Sequence, residues 1–247
     1  MALKTILNYS ANFNPKKRIS KQIKFIIFHY TGMKKESDSI NRLTDMQSEV
    51  SCHYLIKNNG EIIKLVPDLY IAWHAGKSSW KNFRSLNQNS IGIEITNPGH
   101  EHGYQKFSKK QIFSLLKLSL FLMKKYKIGS KNILGHSDIA PQRKKDPGEK
   151  FPWEYFSKNK IGLWHTLKQQ ELIKDRGFKT SKIEKESFFN NLFKIGYSKK
   201  ISKDQNKDSY LRDVTKAFQR RFRQELIDGK IDRECLFICK NLIKRYN

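Results

Sequence analysis

The chain has 247 residues, 38% hydrophobic and 29% charged, with 49 Lys and Arg against 23 Asp and Glu. This is a globular composition on the polar side, long enough for one large domain or for a medium domain with a small one. Three cysteines without a repeating pattern exclude a disulfide framework, and the longest apolar run, "IFSLLKLSLFLM", is too short to span a membrane.

The formal net charge of +26 gives a surface that attracts polyanions: nucleic acid, an anionic cell-wall polymer or lipid headgroups. A bland reading stands beside it. Lys is spread along the chain and accompanied by much Asn, Ile and Phe, as a compositional bias would produce. The start, "MALKTILNYSANFNPKK", has no long apolar run and no small-residue cleavage site. No signal peptide is therefore expected, and the chain as written is expected in the cytoplasm.

In chain order, "IKFIIFHY" is a strand ending at His29 and Tyr30. "HYLIKNNGEIIKLV" gives two strands around a turn at Gly60. "SIGIEIT" is a strand over Ser90 to Thr96, with Ile91, Ile93 and Ile95 on one face and Gly92 and Glu94 on the other. "FSKKQIFSLLKLSLFLMKKY" is a helix capped by Ser108 and Gln111, leaving at Gly129, with Ile112, Leu115, Leu116, Leu120 and Met123 on its inward stripe. "NILGH" is β-like and leads into "LGHSDIAPQRKKDPG", expected as an irregular loop.

After "FPWEYF" a helix and a polar connector follow. "SFFNNLFKIGY" is a short helix ending at Gly196, and "KISKDQNKDS" a loop. "YLRDVTKAFQRRFRQEL" is a helix with Leu211, Val214, Phe218, Phe222 and either Glu225 or Leu226 on one stripe. A turn at Gly229 precedes a last helix. Cys235 and Cys239, four apart, are packed thiols or, less simply, ligands.

Several side chains could carry chemistry. His29 ends a strand, Glu94 lies within one, and His136, Lys144 and Asp146 share the irregular loop. Two imidazoles and a carboxylate make a sound catalytic zinc set, with a fourth position left for water. Ten residues separate His136 from Asp146, so the chain must bend back between them, which Pro141, Pro147 and Gly148 permit. Asp138 suits a partner that orients a ring or pins the loop. A lysine at 144 could face the oxygen that gains charge when a carbonyl is attacked. Glu94 among isoleucines is costly unless it faces a cavity, where it could serve as general base.

Accidental histidine sets are common, and the remaining histidines have plain readings. His100 and His102 form a pocket rim or a surface loop. His53 is a hydrogen-bonded structural residue, and His165 lies in a helix without a catalytic task. In "YIAWHAG", Trp73 and His74 either approach a ligand or simply pack.

The pieces "FIIFHYT", "SCHYLIKNNGEIIKLVPD", "AWHAG", "NSIGIEITN" and "GHSDIAPQRKKDPG" followed by "FPW" together resemble the zinc-dependent N-acetylmuramoyl-L-alanine amidases of the AmpD/AmiD type, the amidase-2 family. The resemblance covers roughly residues 20 to 155. It implies an α/β fold, a mixed β-sheet flanked by helices with one zinc ion on one face. It implies His29, His136 and Asp146 as the ligands, Glu94 and Lys144 as catalytic residues, and His74 on the substrate side, where Trp73 and Arg143 are also expected. The substrate implied is peptidoglycan or anhydro-muropeptides. Family members usually carry Gly where this chain has Gln142, a strain if that position needs positive φ.

"VTKAFQRRFRQELIDGKIDRECLFICKNLI" is similar to the small three-helix peptidoglycan-binding domain, through Phe218, Gln219, Asp228, Gly229 and Asp232. The expected organisation is a catalytic domain over 1–160, a helix and connector over 161–187 and a small all-α domain over 188–247. The appended domain makes a periplasmic or envelope-associated setting the alternative to the cytoplasm. The competing functional reading is a non-catalytic peptidoglycan-recognition protein. Arg220, Arg221 and Arg223 offer a basic face, but no base-reading motif accompanies them and no specific nucleic-acid partner is expected.

Overall fold

The computed structural model describes residues 4–199 and 206–246. Ten short strands are β1 (Ile6–Leu7), β2 (Phe13–Asn14), β3 (Phe25–Tyr30), β4 (Tyr54–Ile56), β5 (Ile62–Lys64), β6 (Ile71–Ala72), β7 (Ser79–Trp80), β8 (Phe83–Arg84), β9 (Ser90–Ile95) and β10 (Ile133–Gly135). The helices are α1 (Glu36–Thr44), α2 (Lys109–Tyr126), α3 (His136–Ile139), α4 (Trp153–Lys158), α5 (Gln169–Leu172), α6 (Lys182–Ile195), α7 (Lys207–Phe222) and α8 (Arg233–Tyr246). Six strands form the central sheet in the order β1-β5-β4-β9-β3-β10, and β2–β6 and β7–β8 form two ribbons. Within the central sheet β4–β5 is antiparallel and the other pairs are parallel. The expected mixed sheet flanked by helices and followed by an all-α region is what forms.

Both faces of the sheet are buried, so β3 reads as an unbroken apolar run up to His29. On one face Ile26, Phe28, Ile91, Ile93, Ile95 and Ile133 pack under α2 and α4, where Phe28 meets Phe151, Trp153 and Phe156. On the other face Phe25, Ile27 and Leu134 join Trp80 and Leu86 in a continuous cluster with Phe188, Tyr197, Phe218 and Phe222 of the C-terminal helices. That region therefore shares a core with the sheet. Each large apolar side chain buried there contributes about 1.5–3 kcal/mol. The free thiols of Cys235 and Cys239 lie in this core and serve as packing.

Local signals explain most element ends. Ser108 and Gln111 form the expected capping box on α2. On α2 the expected Leu115 is buried and Ile112, Leu116 and Met123 pack partly buried against the same core, joined by Leu118 and Leu122, while Leu120 departs from the expected stripe at 44% exposed. The helix is apolar almost all round, so its period alone could not choose a face, and the isoleucine surface of the sheet does. It ends with Lys127 in the left-handed region, two residues before Gly129. Ser181 and Glu184 start α6 with a capping box that the sequence reading overlooked, and Gly196 ends it as expected. α6 therefore runs across residue 188. The loop expected over 200–209 lies partly outside the described residues, up to Asn206, which caps α7.

Of the five residues expected to mark an appended wall-binding domain, Phe218, Gln219 and Asp232 are buried, and Asp228 and Gly229 are half-buried at the turn before α8. Phe218 is core, and Gln219 bridges to Asp228, to the Lys230 carbonyl and to the Gly229 N–H, fastening the turn before α8. Asp232 caps the first turn of α8 through the Cys235 N–H. His165 lies in an extended stretch before α5, stacked on Trp164, and not in a helix.

His53 is fully buried, as a structural residue should be. Its Nδ1 accepts the Gly92 N–H at 3.0 Å and its Nε2–H donates to the Tyr70 carbonyl at 3.1 Å. Burial, then the charge of Arg18, pushes its pKa down to about 3. The unfolded chain binds this proton first, so the contribution to stability is full above about pH 6.5 and is lost as pH falls towards 3. Inside that window the loss is about 1.4 kcal/mol per pH unit. Denaturant melts of chelated protein between pH 7 and 4 are expected to show falling stability, with a shallower slope for His53→Gln. An equal slope in the variant would remove His53 as a cause.

Candidate active site

Strand register builds the site. In β3, alternation puts Phe25, Ile27 and His29 on one face. The parallel pairing sets Ser90, Gly92 and Glu94 of β9 beside them in that order. On the other flank Leu134 of β10 pairs with Ile27, and His136 follows just beyond the strand end. Asp146 returns to the same point because the Ser137 N–H donates to its carbonyl at 2.9 Å. The three expected ligands thus meet. His29 Nδ1 and His136 Nδ1 are 2.9 Å apart, and each is 3.0 Å from Asp146 Oδ2. All three residues are buried, and they are the metal-binding group found among the described residues.

The surrounding hydrogen bonds fix both ring tautomers. His136 Nε2–H donates to the Ala75 carbonyl at 3.1 Å, which leaves a lone pair on Nδ1. His29 is fixed through two further links, His74 and Ser90. The Ser90 hydroxyl spends its proton on the Leu86 carbonyl at 2.6 Å, so it can only accept from His74 Nε2–H at 3.2 Å. His74 Nδ1 is then bare and accepts His29 Nε2–H at 3.0 Å, leaving the His29 Nδ1 lone pair turned inward. Three electron pairs therefore face one centre with no proton between them, and a cation is what such a centre accepts. Ligand atoms 2.0–2.1 Å from a tetrahedral zinc ion lie about 3.3 Å apart. The observed 2.9–3.0 Å spacing is that arrangement slightly contracted. The set fits a single Zn²⁺.

Electrostatics agree with this donor set. Burial, then the His136 ring, lowers the His29 pKa to about 4, against the pull of Asp146. Burial, then His29 and His53, keeps His74 well below the usual imidazole range. Burial alone would raise the Asp146 carboxyl, but the His136 and His29 rings outweigh it and hold it well below the carboxylate range.

Glu94 stands beside His29 in the register. Its Oε2 is buried without a hydrogen-bond partner. Burial, then the charge of Asp146, raises its pKa to about 8, with Lys144 opposing. A divalent cation at the triad opposes the rise further. Glu94 and Lys144 line a cavity of about 550 Å³ that also reaches His136 and Asp146.

The other expected site residues fall around this cavity in different ways. Trp73 is half-exposed on its wall. His74 lies on the wall too, but its ring is buried behind His29. Gly92 makes room for it, since a Cβ there would come within 2.4 Å of that ring. Arg143 lines the cavity and donates to the carbonyls of Ala75 and Lys77, bracing the "WHAG" turn. Asp138 lies beneath His136 as a loop-pinning partner, accepting the Gly135 N–H. The supposed loop at 136–139 is one helical turn, closed by that bond. His100 forms a rim, joined to Tyr30 and to Glu149.

Gln142 is not among the non-glycine residues with positive φ, so it carries no left-handed strain. Arg220, Arg221 and Arg223 are buried and make no open basic face. Sequence reasoning missed Ser90 and the Leu86 carbonyl behind His74, and Arg42 on the cavity wall. Ser90 did carry a signal: it shares the alternating face of Gly92 and Glu94.

The family profile of N-acetylmuramoyl-L-alanine amidase (Amidase_2) matches residues 19–149. N-acetylmuramoyl-L-alanine amidase AmiD of Escherichia coli is 35% identical over 237 residues, covering 91% of this chain and 84% of that protein. The 1,6-anhydro-N-acetylmuramyl-L-alanine amidase AmpD of Haemophilus influenzae is 42% identical over 111 residues, 44% of this chain and 58% of that one. The solved E. coli AmiD, in complex with anhydro-N-acetylmuramic acid-L-Ala-D-gamma-Glu-L-Lys, superposes with a TM-score of 0.77 at 34% identity, over 91% of this chain and 90% of that chain. AmpDh3 of Pseudomonas aeruginosa gives a TM-score of 0.78 at 30% identity over 94% of both chains. With the profile spanning more than half of its length and a full-length relative above 30% identity, this chain belongs to the N-acetylmuramoyl-L-alanine amidase family.

Proposed function

We propose that the chain hydrolyses the amide between the lactyl group of N-acetylmuramic acid, ordinary or 1,6-anhydro, and L-alanine, in peptidoglycan or its fragments, with one zinc ion. The observation that carries this is a cation-seeking triad, two of whose members line the same cavity as Glu94 with its unpartnered buried carboxylate oxygen. The full triad with Glu94 and Lys144 favours an enzyme over a recognition protein that only binds.

His29, His136 and Asp146 would hold the zinc ion, which supplies Lewis acidity to the carbonyl and to water. Glu94 does the proton work. Its bare Oε2 accepts a proton from the attacking water and returns it to the alanine nitrogen as the C–N bond breaks. Lys144 holds a positive charge on the cavity wall, where the carbonyl oxygen becomes negative in the tetrahedral stage. Arg42, Arg143 and Lys145 also line the cavity and suit the free carboxylates of a stem peptide. Trp73 offers an apolar surface to the substrate, while His74 acts from behind by fixing the His29 tautomer. We assign the reacting side chains to residues 1–160, with the helical region from α6 onward packed against them as an appended unit. Phe218, Gln219 and Asp232 of that region are buried, so any wall contact falls to half-buried Asp228 and Gly229 and to its outward side chains.

Three outcomes test these roles. Glu94→Gln is expected to lower kcat about 10²–10⁴-fold and keep one zinc per chain, read by metal analysis and by mass spectrometry of products from anhydro-muropeptides and sacculi. Near-normal turnover would remove Glu94 from the mechanism. His29→Ala and Asp146→Ala are expected to purify with little zinc, and stoichiometric metal in both would contradict the ligand set. Lys144→Met is expected to lower kcat about 10²–10³-fold at unchanged zinc content, whereas a change in KM alone would make Lys144 a binding residue.

A further inference from the structure

The turn that carries the ligands is held from the far end of the chain. Asp138 is buried two residues beyond His136. Its Oδ2 accepts the Gly135 N–H at 2.8 Å and closes the turn of α3 that His136 begins. Two residues on from Gly135, the Ser137 N–H holds the Asp146 carbonyl. One carboxylate therefore orders the backbone from which two of the three metal-binding side chains project.

The rest of that carboxylate is occupied by the C-terminal helical region. Tyr197, just after α6, donates its hydroxyl to Asp138 Oδ1 at 2.8 Å. Arg221 of α7 pairs with Oδ2 and also donates to the Ile133 carbonyl at 3.1 Å, at the start of β10. Its guanidinium lies over the Trp153 ring, 4.1 Å from the centroid. Both residues are at most 2% exposed. Without these donors Asp138 would be a buried charge held by one backbone N–H. It would relax by turning away, and would release the α3 turn in doing so.

We propose that Tyr197 and Arg221 are positioning residues of the metal centre, acting through Asp138 to aim His136 and Asp146 at His29. The C-terminal helical region then belongs to the catalytic unit as well as to the fold. This rests on the zinc reading of the triad. It would act through the geometry of the ligand-bearing backbone, so it is visible in metal affinity apart from turnover.

The test is a zinc competition against a chromophoric chelator, on the full chain, at a temperature where every variant is folded. Arg221→Met, which keeps packing on Trp153, is expected to weaken zinc binding about 10–100-fold, with a fall in kcat. Tyr197→Phe, which removes one hydroxyl, is expected to weaken it severalfold and serves alone if Arg221→Met does not fold. In an Asp138→Asn background, Arg221→Met is expected to add little, because both act at one node. Phe188→Leu, which loosens the same helical core, is expected to lower the unfolding midpoint and keep wild-type zinc affinity. Wild-type affinity in the folded Tyr197 and Arg221 variants overturns the proposal. So does additivity of Asp138→Asn with Arg221→Met, or a loss in Phe188→Leu that scales with its lost stability. A wild-type chain that binds no zinc overturns the metal reading, and this inference with it.

Discussion

Three lone pairs buried within 3.0 Å of one another, with no proton between them, are tolerable only around a cation, and the architecture of the sheet exists around that fact. Parallel strands put His29, Glu94 and His136 on one face because β3 lies between β9 and β10. Gly92 is the small residue that lets the His74 ring reach His29 across β9. Each ring has its outer nitrogen tied to a neutral acceptor, so neither can donate towards the centre. Metal binding by such a set is coupled to folding, since the unfolded chain offers no comparable site. Depressed imidazole pKa values at His29 and His74 point the same way: the folded chain prefers these rings neutral.

Much of this was legible in the residues. The strand ending at His29, the alternation around Glu94 and the caps of α2 follow from period and local chemistry. The ligand set came from donor type plus family resemblance. What was not legible depends on long-range contact. α2 is apolar on nearly every side, and only the sheet decides that Leu118 is inside and Leu120 outside. His74 has no sequence mark that reveals its bonds to Ser90 and His29; those contacts come from distant chain segments. The arginine cluster at 220–223 looks like a basic surface in sequence. Burial against Asp138, Glu149 and Asp232 makes it internal wiring.

Those inward arginines also reframe the charge of +26. Arg221 and Arg223 are neutralised by buried aspartates, so they add little to the outer field. The lysines spread along the chain make a diffuse positive surface. Arg42, Arg143, Lys144 and Lys145 line the cavity, beside the acidic Glu94, Glu101 and Asp146. A field focused in a cleft draws anionic substrate in, and a field spread over the surface only keeps it near.

Two buried aspartates show why charged nodes persist in this core. Asp68 collects the hydroxyls of Tyr54 and Tyr126 and the ammonium of Lys125, fastening α2 to β4. Asp138 collects Tyr197, Arg221 and the Gly135 N–H, fastening α6 and α7 to the α3 turn. Well-packed apolar residues at such nodes would often give equal or greater stability, because desolvating a charge offsets its attraction. An apolar node, however, has no preferred angle. A hydrogen-bonded carboxylate fixes its donors in direction as well as distance, and a metal centre needs its ligands placed to within about 0.5 Å. At Asp138 the gain is therefore orientation: the donor that would be left idle by an apolar substitute is the Gly135 N–H, one residue before a proposed zinc ligand.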